Sequence, residues 1–389
     1  MTVLLINVGS YVNDDMMKAL ANIYGKNGVE ELYHYLIFGG EEVYEDAEFE
    51  QVLTKKLKQN TYNCVVTTNF FPVIAKVCNA VGMKYIAWSY DSPINVRECK
   101  EMDFDTNFIF LFDRAESQRW HKKGHSRFFH MPLAVDTEKW DKFSSDVKYK
   151  GDVALLGKLY RSKIMIIKNG LNDDLCSYID KITDAQLRTK DVYIVDDLIS
   201  QPIMDEINRQ YAIAGSPLRI SKEQLSYTIS EYVTYYDRLL LLEMFGRRFD
   251  MHLYTYDIGD REKEILKNVH IHDKLDYHTE MPRMFKSVKI NINSSIRSAQ
   301  SGVNLRTVDV LGCKGFLLSN PQPELLEYFE DKKEIVLFRE LEEAIDLTDY
   351  YLKHDDEREK IALAGYERVK KDFRYEDRFR EMFKLAGIR

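Results

Sequence analysis

The sequence predicts an α/β protein built from two parallel-sheet halves that face a central cleft. Strand-length apolar runs alternate with helical stretches along most of its 389 residues, the pattern of parallel sheets covered on both faces. A short polar stretch without apolar rhythm, 141–151, divides the alternation into two series and reads as a linker. Three polar loops follow strands, at the strand ends where open parallel sheets bind ligands.

The first series opens with a buried-type strand over 3–8, then Gly9, a polar turn to Asp14 and a helical stretch through Tyr24. A helix follows over 49–57, a strand over 64–67, a helix over 72–81, strands over 85–89 and 109–112, a helix over 115–122 and a strand over 128–131. The second series begins at 152–156 and resumes with strands over 251–254, 269–271, 289–292, 316–318 and 335–338. Between its first two members lies a helical insert, 161–245, strongest over 223–245. There Tyr232, Tyr235, Tyr236, Leu239 and Leu242 form a packing stripe. Helices over 341–353, 355–373 and 377–385 close the chain. The boundaries give an N-terminal Rossmann-like domain over 1–145, a second Rossmann-like domain over 151–370, and a C-terminal helix, 371–389, that packs back on the first domain.

Composition narrows the function. Hydrophobic content of 45% with 25 Tyr and 20 Phe provides two cores. A net charge of -8 without a dense basic block disfavours nucleic acid as a partner. The five cysteines, Cys64, Cys78, Cys99, Cys176 and Cys313, show no CxxC or Cys/His metal spacing. No stretch approaches the ~18 apolar residues of a membrane span, and MTVLLINVGS has no basic leader region. The expectation is a cytoplasmic protein with no transmembrane segment and no metal.

The segment 277–324 holds the densest signal. It reads as a helix that Thr279 caps, a strand, a polar loop, a helix marked by Val303, Leu305, Val308, Val310 and Leu311, and a strand. The loop from Ser294 through Ser301 to Gly302 carries Arg297 and leads to a helix N-terminus, which offers N–H groups and a positive dipole end to an anion. Arg306 and Arg297 add cationic hydrogen bonds, and Asp309 is placed to accept from sugar hydroxyls, so a nucleoside diphosphate suits the loop. Arg306 and Asp309, three apart, also read as a simple pair on a helix face. Two further loops open onto the same cleft: Gly157 to Lys163 and Ser89 to Pro93.

Several motifs together resemble the CgeB-like bacterial glycosyltransferases of the GT-B fold. They are YHTEMPRMFKSVKININ, IRSAQSGVNLRTVDVLGCKGFLLSNPQPEL, NFFPVIAKVC, KYIAWSYDSP, FIFLFDRAESQRWHKKG, MPLAVD and ALLGKLYR, which cover most of the chain. The resemblance implies a two-domain enzyme that binds a nucleotide-activated sugar, UDP-linked, in its second half and a protein or cell-surface glycan acceptor against its first. Carried onto this sequence, Gly157 and Arg161 line the donor loop, and Gly302 and Val303 present N–H groups to the diphosphate. Arg306 neutralises it and Asp309 takes the ribose hydroxyls. Asp309 stands where related retaining enzymes have a glutamate, and Ser301 stands near the place of another.

Transfer needs a stabilised leaving diphosphate and a base for the acceptor proton. No DxD pair lies near the donor loop, so a metal-independent reaction without a further cofactor is expected. Asp91 is the candidate base, and an Asp-Ser-Pro turn in which it bonds its own backbone is the alternative. His278 is a candidate for the base or phosphate of the donor, and Asn69 and Tyr90 for the acceptor. A sugar-nucleotide epimerase, which forms product without an acceptor, and a non-catalytic two-lobed binding protein fit the same organisation.

Overall fold

The computed structural model describes residues 2–36, 40–190 and 192–388. The first sheet comprises β1 (Val3–Asn7), β2 (Val29–Tyr33), β3 (Cys64–Thr68), β4 (Tyr85–Ser89), β5 (Asn107–Leu111) and β6 (Phe128–His130), in the order β2-β1-β3-β4-β5-β6. The second comprises β7 (Gly151–Leu156), β8 (Met251–Tyr254), β9 (His270–His272), β10 (Val288–Asn293), β11 (Leu317–Ser319) and β12 (Val336–Leu337), in the order β12-β11-β10-β7-β8-β9. Every pairing in both sheets is parallel. Helices cover both faces, so a central strand such as β3 is buried at every residue. That is why these strands read as continuous apolar runs without alternation.

β2 has no counterpart in the sequence reading. Its residues, VEELY, are half exposed at the sheet edge, where charges such as Glu30 and Glu31 discourage pairing with another chain. Two helix starts also differ. The helix Met281–Ser287 is preceded by Glu280 as its N-cap residue, because the Thr279 N–H and hydroxyl both donate to Asp276. The helix Leu305–Gly312 begins two residues beyond Val303, with the Asn304 side chain accepting from Thr307 N–H.

The insert forms its own apolar cluster from helices Asp173–Arg188, Gln201–Ile213 and Lys222–Gly246, with Ile179, Ile207, Leu225, Ile229 and Val233 at its centre. It also reaches the first domain: Arg119 pairs with Asp196 and Lys123 with Glu223, each at 2.7 Å. The last helix, Tyr375–Leu385, sets Tyr375, Phe379, Met382 and Phe383 among Val3, Leu5 and Trp88 of the first sheet. Among the described residues no helix is long and apolar enough to cross a membrane.

Candidate active site in the interdomain cleft

Loops leaving the C-terminal ends of β4 and β5 meet loops leaving β7 and β10. The tightest junction is at Asp113, which follows β5 and is fully buried. Its carboxylate caps the helix Arg114–Lys122 by accepting from Ala115 and Glu116 N–H. It also accepts from Gln300 N–H at 2.6 Å, across the domain boundary. Ser301 Oγ accepts from Ala115 N–H and lies 2.7 Å from Asp113 Oδ1 and 2.8 Å from Glu324 Oε1. Glu324 in turn accepts from Arg114 N–H and lies 2.6 Å from His130 Nε2. Burial opposes ionisation of Glu324, but these partners hold its carboxyl below the ordinary range. At Gly302 an added Cβ would stand 2.7 Å from the Phe112 carbonyl oxygen, so only glycine lets the β10 loop approach this closely. Ser301 and Gly302, expected at the diphosphate, are therefore engaged in joining the domains.

Asp309 lies deeper in the same cleft, on the second turn of the helix Leu305–Gly312 and 1% exposed. Tyr277 donates to its Oδ1 at 3.0 Å, while Oδ2 has no hydrogen-bond partner. Arg306 approaches Oδ2 to 3.7 Å, with its guanidinium against Met281 Sδ and over the Phe285 ring. Burial pushes the Asp309 carboxyl up to about 7, against the pull of Arg306 and the Tyr277 hydrogen bond. Across from it, the helix Asn13–Tyr24 brings Asp15 to within 2.7 Å of Lys139, and Tyr11 stacks on Tyr277 at 5.5 Å between ring centres. This leaves a buried carboxylate, beside an arginine and aromatic rings, with one oxygen whose acceptor capacity is unused.

Asp91 stands on the first-domain side of the cleft, half-buried on the loop after β4. Asn69 Nδ2 donates to its Oδ2 at 3.0 Å, and Lys158 of the β7 loop lies within its field. Burial raises the Asp91 carboxyl, with Asn69 and Lys158 opposing. Asn69 itself, at φ 62°, accepts from Tyr90 N–H and the Ser89 hydroxyl. Both ends of its amide are thus engaged in shaping this loop and in holding Asp91. The Tyr90 hydroxyl lies 3.5 Å from that of Tyr375 on the last helix.

The residue that unites the second-domain loops is Arg238, in the helix Lys222–Gly246. Its guanidinium, 7% exposed, donates to the carbonyl of Lys158 in the β7 loop and to that of Ser294 in the β10 loop. Burial lowers its pKa. Gly157 lies close against it, since an added Cβ there would be 3.1 Å from Nη1. The Tyr160 ring packs on it at 4.8 Å. One buried side chain therefore fixes the β7 and β10 loops to each other.

The family described as glycosyl transferase-like matches residues 237–384, which include Arg238, Tyr277, Arg306 and Asp309. Solved structures align over the whole length. A glycosyltransferase from Rickettsia africae ESF-5 is 10% identical, with a TM-score of 0.56 over 99% of this chain and 97% of its own. Anabaena HepE in complex with UDP-glucose is 9% identical, with a TM-score of 0.56 over 100% and 99%. The sucrose-phosphate synthase of Thermosynechococcus elongatus is 10% identical, with a TM-score of 0.56 over 100% and 98%. The fold is GT-B. No curated protein matches the sequence.

Within this GT-B chain the remaining candidates divide. Val303 is buried ahead of the helix and belongs to the apolar core beneath it. Arg297 is held by Asp237 at 2.7 Å and by the Lys190 carbonyl, so it ties the β10 loop to the insert. Arg161 is exposed and turns to Glu262 at 3.6 Å. His278 packs edge-on against Tyr277 and faces Asp15. A cavity of about 830 Å³, lined by Tyr149, Tyr254, Ile258, His272 and Leu275, opens at the β8–β9 edge, and neither Asp91 nor Asp309 lines it. Asp113, Glu324 and Arg238 were missed by sequence reasoning. Asp113 signals only a helix cap, and Arg238 lies beside the tyrosine and leucine stripe that reads as packing.

Proposed function

We propose that this protein is a CgeB-like glycosyltransferase that moves a sugar from a UDP-sugar to a protein or cell-surface glycan acceptor, in the cytoplasm and without a metal. The observation that carries the reading is Asp309: a buried carboxylate with an unpaired oxygen, beside Arg306, in the glycosyl transferase-like domain of a GT-B fold. In this reading the ribose hydroxyls donate to Asp309 Oδ2, and Arg306 with Lys158 balances the diphosphate charge. The acceptor oxygen attacks the anomeric carbon as its proton passes to Asp91. The bond to the diphosphate breaks, and its electron pair leaves with the phosphate oxygen. The raised Asp91 carboxyl is the stronger base for it. The UDP-glucose complex of a structural neighbour supports uridine as the nucleoside of the donor.

A melting-temperature and calorimetric screen of UDP, GDP, dTDP, ADP and their sugars tests this reading. UDP and one UDP-sugar should stabilise the wild type, by about 2.7 kcal/mol at one hundred times Kd. Arg306→Ala and Asp309→Ala should abolish the effect. Stabilisation by none of the nucleotides would refute the reading, and turnover of a UDP-sugar to an isomer without acceptor would replace transfer by epimerisation.

A further inference from the structure

We infer that the acceptor is a sugar, and that the insert helix Lys222–Gly246 supplies the wall against which it binds. The inference rests on the glycosyltransferase reading above. This helix turns one stripe towards the cleft: Tyr227, Glu231, Thr234 and Arg238, spaced four, three and four apart. The C-terminal end of the stripe holds the donor loops, because Arg238 binds the Lys158 and Ser294 carbonyls and Thr234 Oγ1 accepts from Arg297 N–H at 3.0 Å. One turn back, half-buried Glu231 faces Lys158 and Lys163, with Asp257 beside it. A further turn back, half-buried Tyr227 lies within the field of both Glu231 and Asp91.

Tyr160 and Tyr256 complete the wall. Tyr160 is held at φ 63°, in the left-handed region that a tyrosine adopts only where its surroundings impose it. Tyr256 is 62% exposed, with its ring 5.7 Å from Lys158 Nζ. Glu231 makes no hydrogen bond or ion pair among the described residues, although it is half-buried between two lysines. Burial raises its carboxyl, as it does that of Asp91.

Unpartnered carboxylates accept from hydroxyls, lysines donate to ring and hydroxyl oxygens, and tyrosine faces cover the C–H surface of a pyranose. A serine or threonine of a peptide offers a single hydroxyl, which Asp91 alone would serve. Unpartnered Glu231, with the capacity left on Asp91 beside its bond from Asn69 and on Asp257 beside its bond from Arg161 N–H, offers acceptors for several. The wall begins where the donor loops end and runs towards Asp91, which places it on the acceptor side of the base.

The test is UDP release from UDP-glucose, UDP-galactose and UDP-N-acetylglucosamine by wild type, Glu231→Gln and Tyr227→Ala. Each is assayed alone, with a panel of methyl glycosides and disaccharides, and with a Ser/Thr-containing peptide. Calorimetry of the UDP-sugar and the melting temperature are measured for each protein. At least one sugar of the panel should accelerate UDP release by the wild type. Glu231→Gln should raise its KM about tenfold or more, the loss expected for hydrogen bonds to a charged group, and Tyr227→Ala about threefold or more through the lost ring face, with UDP-sugar affinity unchanged. Acceleration by the peptide alone, by no sugar of the panel, an unchanged KM in both variants, or an equal loss of UDP-sugar affinity would each overturn the inference while leaving donor binding in place. A wild type that binds no UDP-sugar overturns the glycosyltransferase reading and the inference with it.

Discussion

Asp309→Asn is expected to stabilise the protein at pH 8 while weakening its hold on a nucleotide sugar. Burial raises the Asp309 carboxyl to about 7, while in the unfolded chain an aspartate titrates near about 3.9. Between those values the folded state binds more protons than the unfolded one, so stability falls as pH rises through the window. The loss is complete above pH 7. About three pH units at 1.36 kcal/mol each set it at about 4 kcal/mol. Asparagine has the same shape, never ionises, and its Oδ1 still accepts from Tyr277. The variant should exceed wild type by about 1 kcal/mol at pH 4.5, where the unfolded aspartate is already mostly ionised, and by up to about 4 kcal/mol at pH 8. Binding moves the other way. An amide nitrogen cannot accept from ribose hydroxyls, and losing hydrogen bonds to a charged group costs about 1.5–3 kcal/mol, some ten- to hundredfold in Kd. The groups facing Asp309 are Arg306, Tyr277, Asp15 and Lys139. Wild-type affinity should rise about tenfold from pH 6 to pH 8 as Asp309 ionises, and the variant's should be flat. The assay is urea denaturation of both proteins at pH 4.5, 6 and 8, with calorimetry of UDP-glucose at pH 6 and 8. UDP-glucose is preferred to UDP, whose terminal phosphate titrates near pH 6. Equal stability of the two proteins at every pH, or equal UDP-glucose affinity, would refute the reasoning.

Three further outcomes follow from named contacts. Arg238→Ala leaves the buried Lys158 and Ser294 carbonyls without their donor, so it should destabilise by about 2–4 kcal/mol and weaken UDP-sugar binding at least about tenfold. Denaturation and calorimetry on the same samples check both, and Arg238→Lys, which lacks the planar fork, should not restore binding. Asp91→Asn should lower the transfer rate by about 10²–10⁴ with UDP-sugar affinity within about twofold of wild type, whereas retained transfer would place the base elsewhere. Ser301→Ala removes the hydroxyl shared by Asp113, Glu324 and Ala115 N–H, and should shift the urea midpoint by about 1–3 kcal/mol of stability without changing the slope.

The sheet architecture was legible because most central strands are buried on both faces and read as unbroken apolar runs, as in β3 and β4. β2 was not, since an edge strand needs no such run. Asp309 and Arg306 were legible as a pair on a helix following a polar loop. What the loop before them does was not. Ser301 and Gly302 look like ligand-facing residues because small polar residues ahead of a helix suit an anion, yet the same smallness lets the loop pack on Phe112 and Asp113. Local sequence carries no information on which of the two surfaces, ligand or other domain, such a loop meets. Arg238 was hidden for a related reason. Its partners are backbone carbonyls 80 and 56 residues away, which no spacing rule connects to it.

Electrostatics separates the cleft from the scaffold. Among the described residues, burial raises five carboxyl groups: Asp15, Asp91, Glu116, Glu231 and Asp309. Glu116 accepts from Ile94 N–H and the Trp120 indole through Oε1, while its Oε2 is buried without a hydrogen-bond partner among the described residues, behind the helix start at Asp113. The other four lie along the cleft, each with a cation in its field: Lys139 for Asp15, Lys158 for Asp91 and Glu231, and Arg306 for Asp309. Carboxylates that only stabilise turns show the opposite sign, as at Asp276, which accepts from His278 and Thr279 N–H and sits below its ordinary value. A scaffold gains stability from ionised, satisfied carboxylates. Carboxylates held against ionisation with acceptor capacity left over are destabilising until a ligand donates to them. Four such groups in one cleft, interleaved with three cations, match a ligand that brings hydroxyls and negative charge together, which is the chemistry of a nucleotide sugar meeting a sugar acceptor.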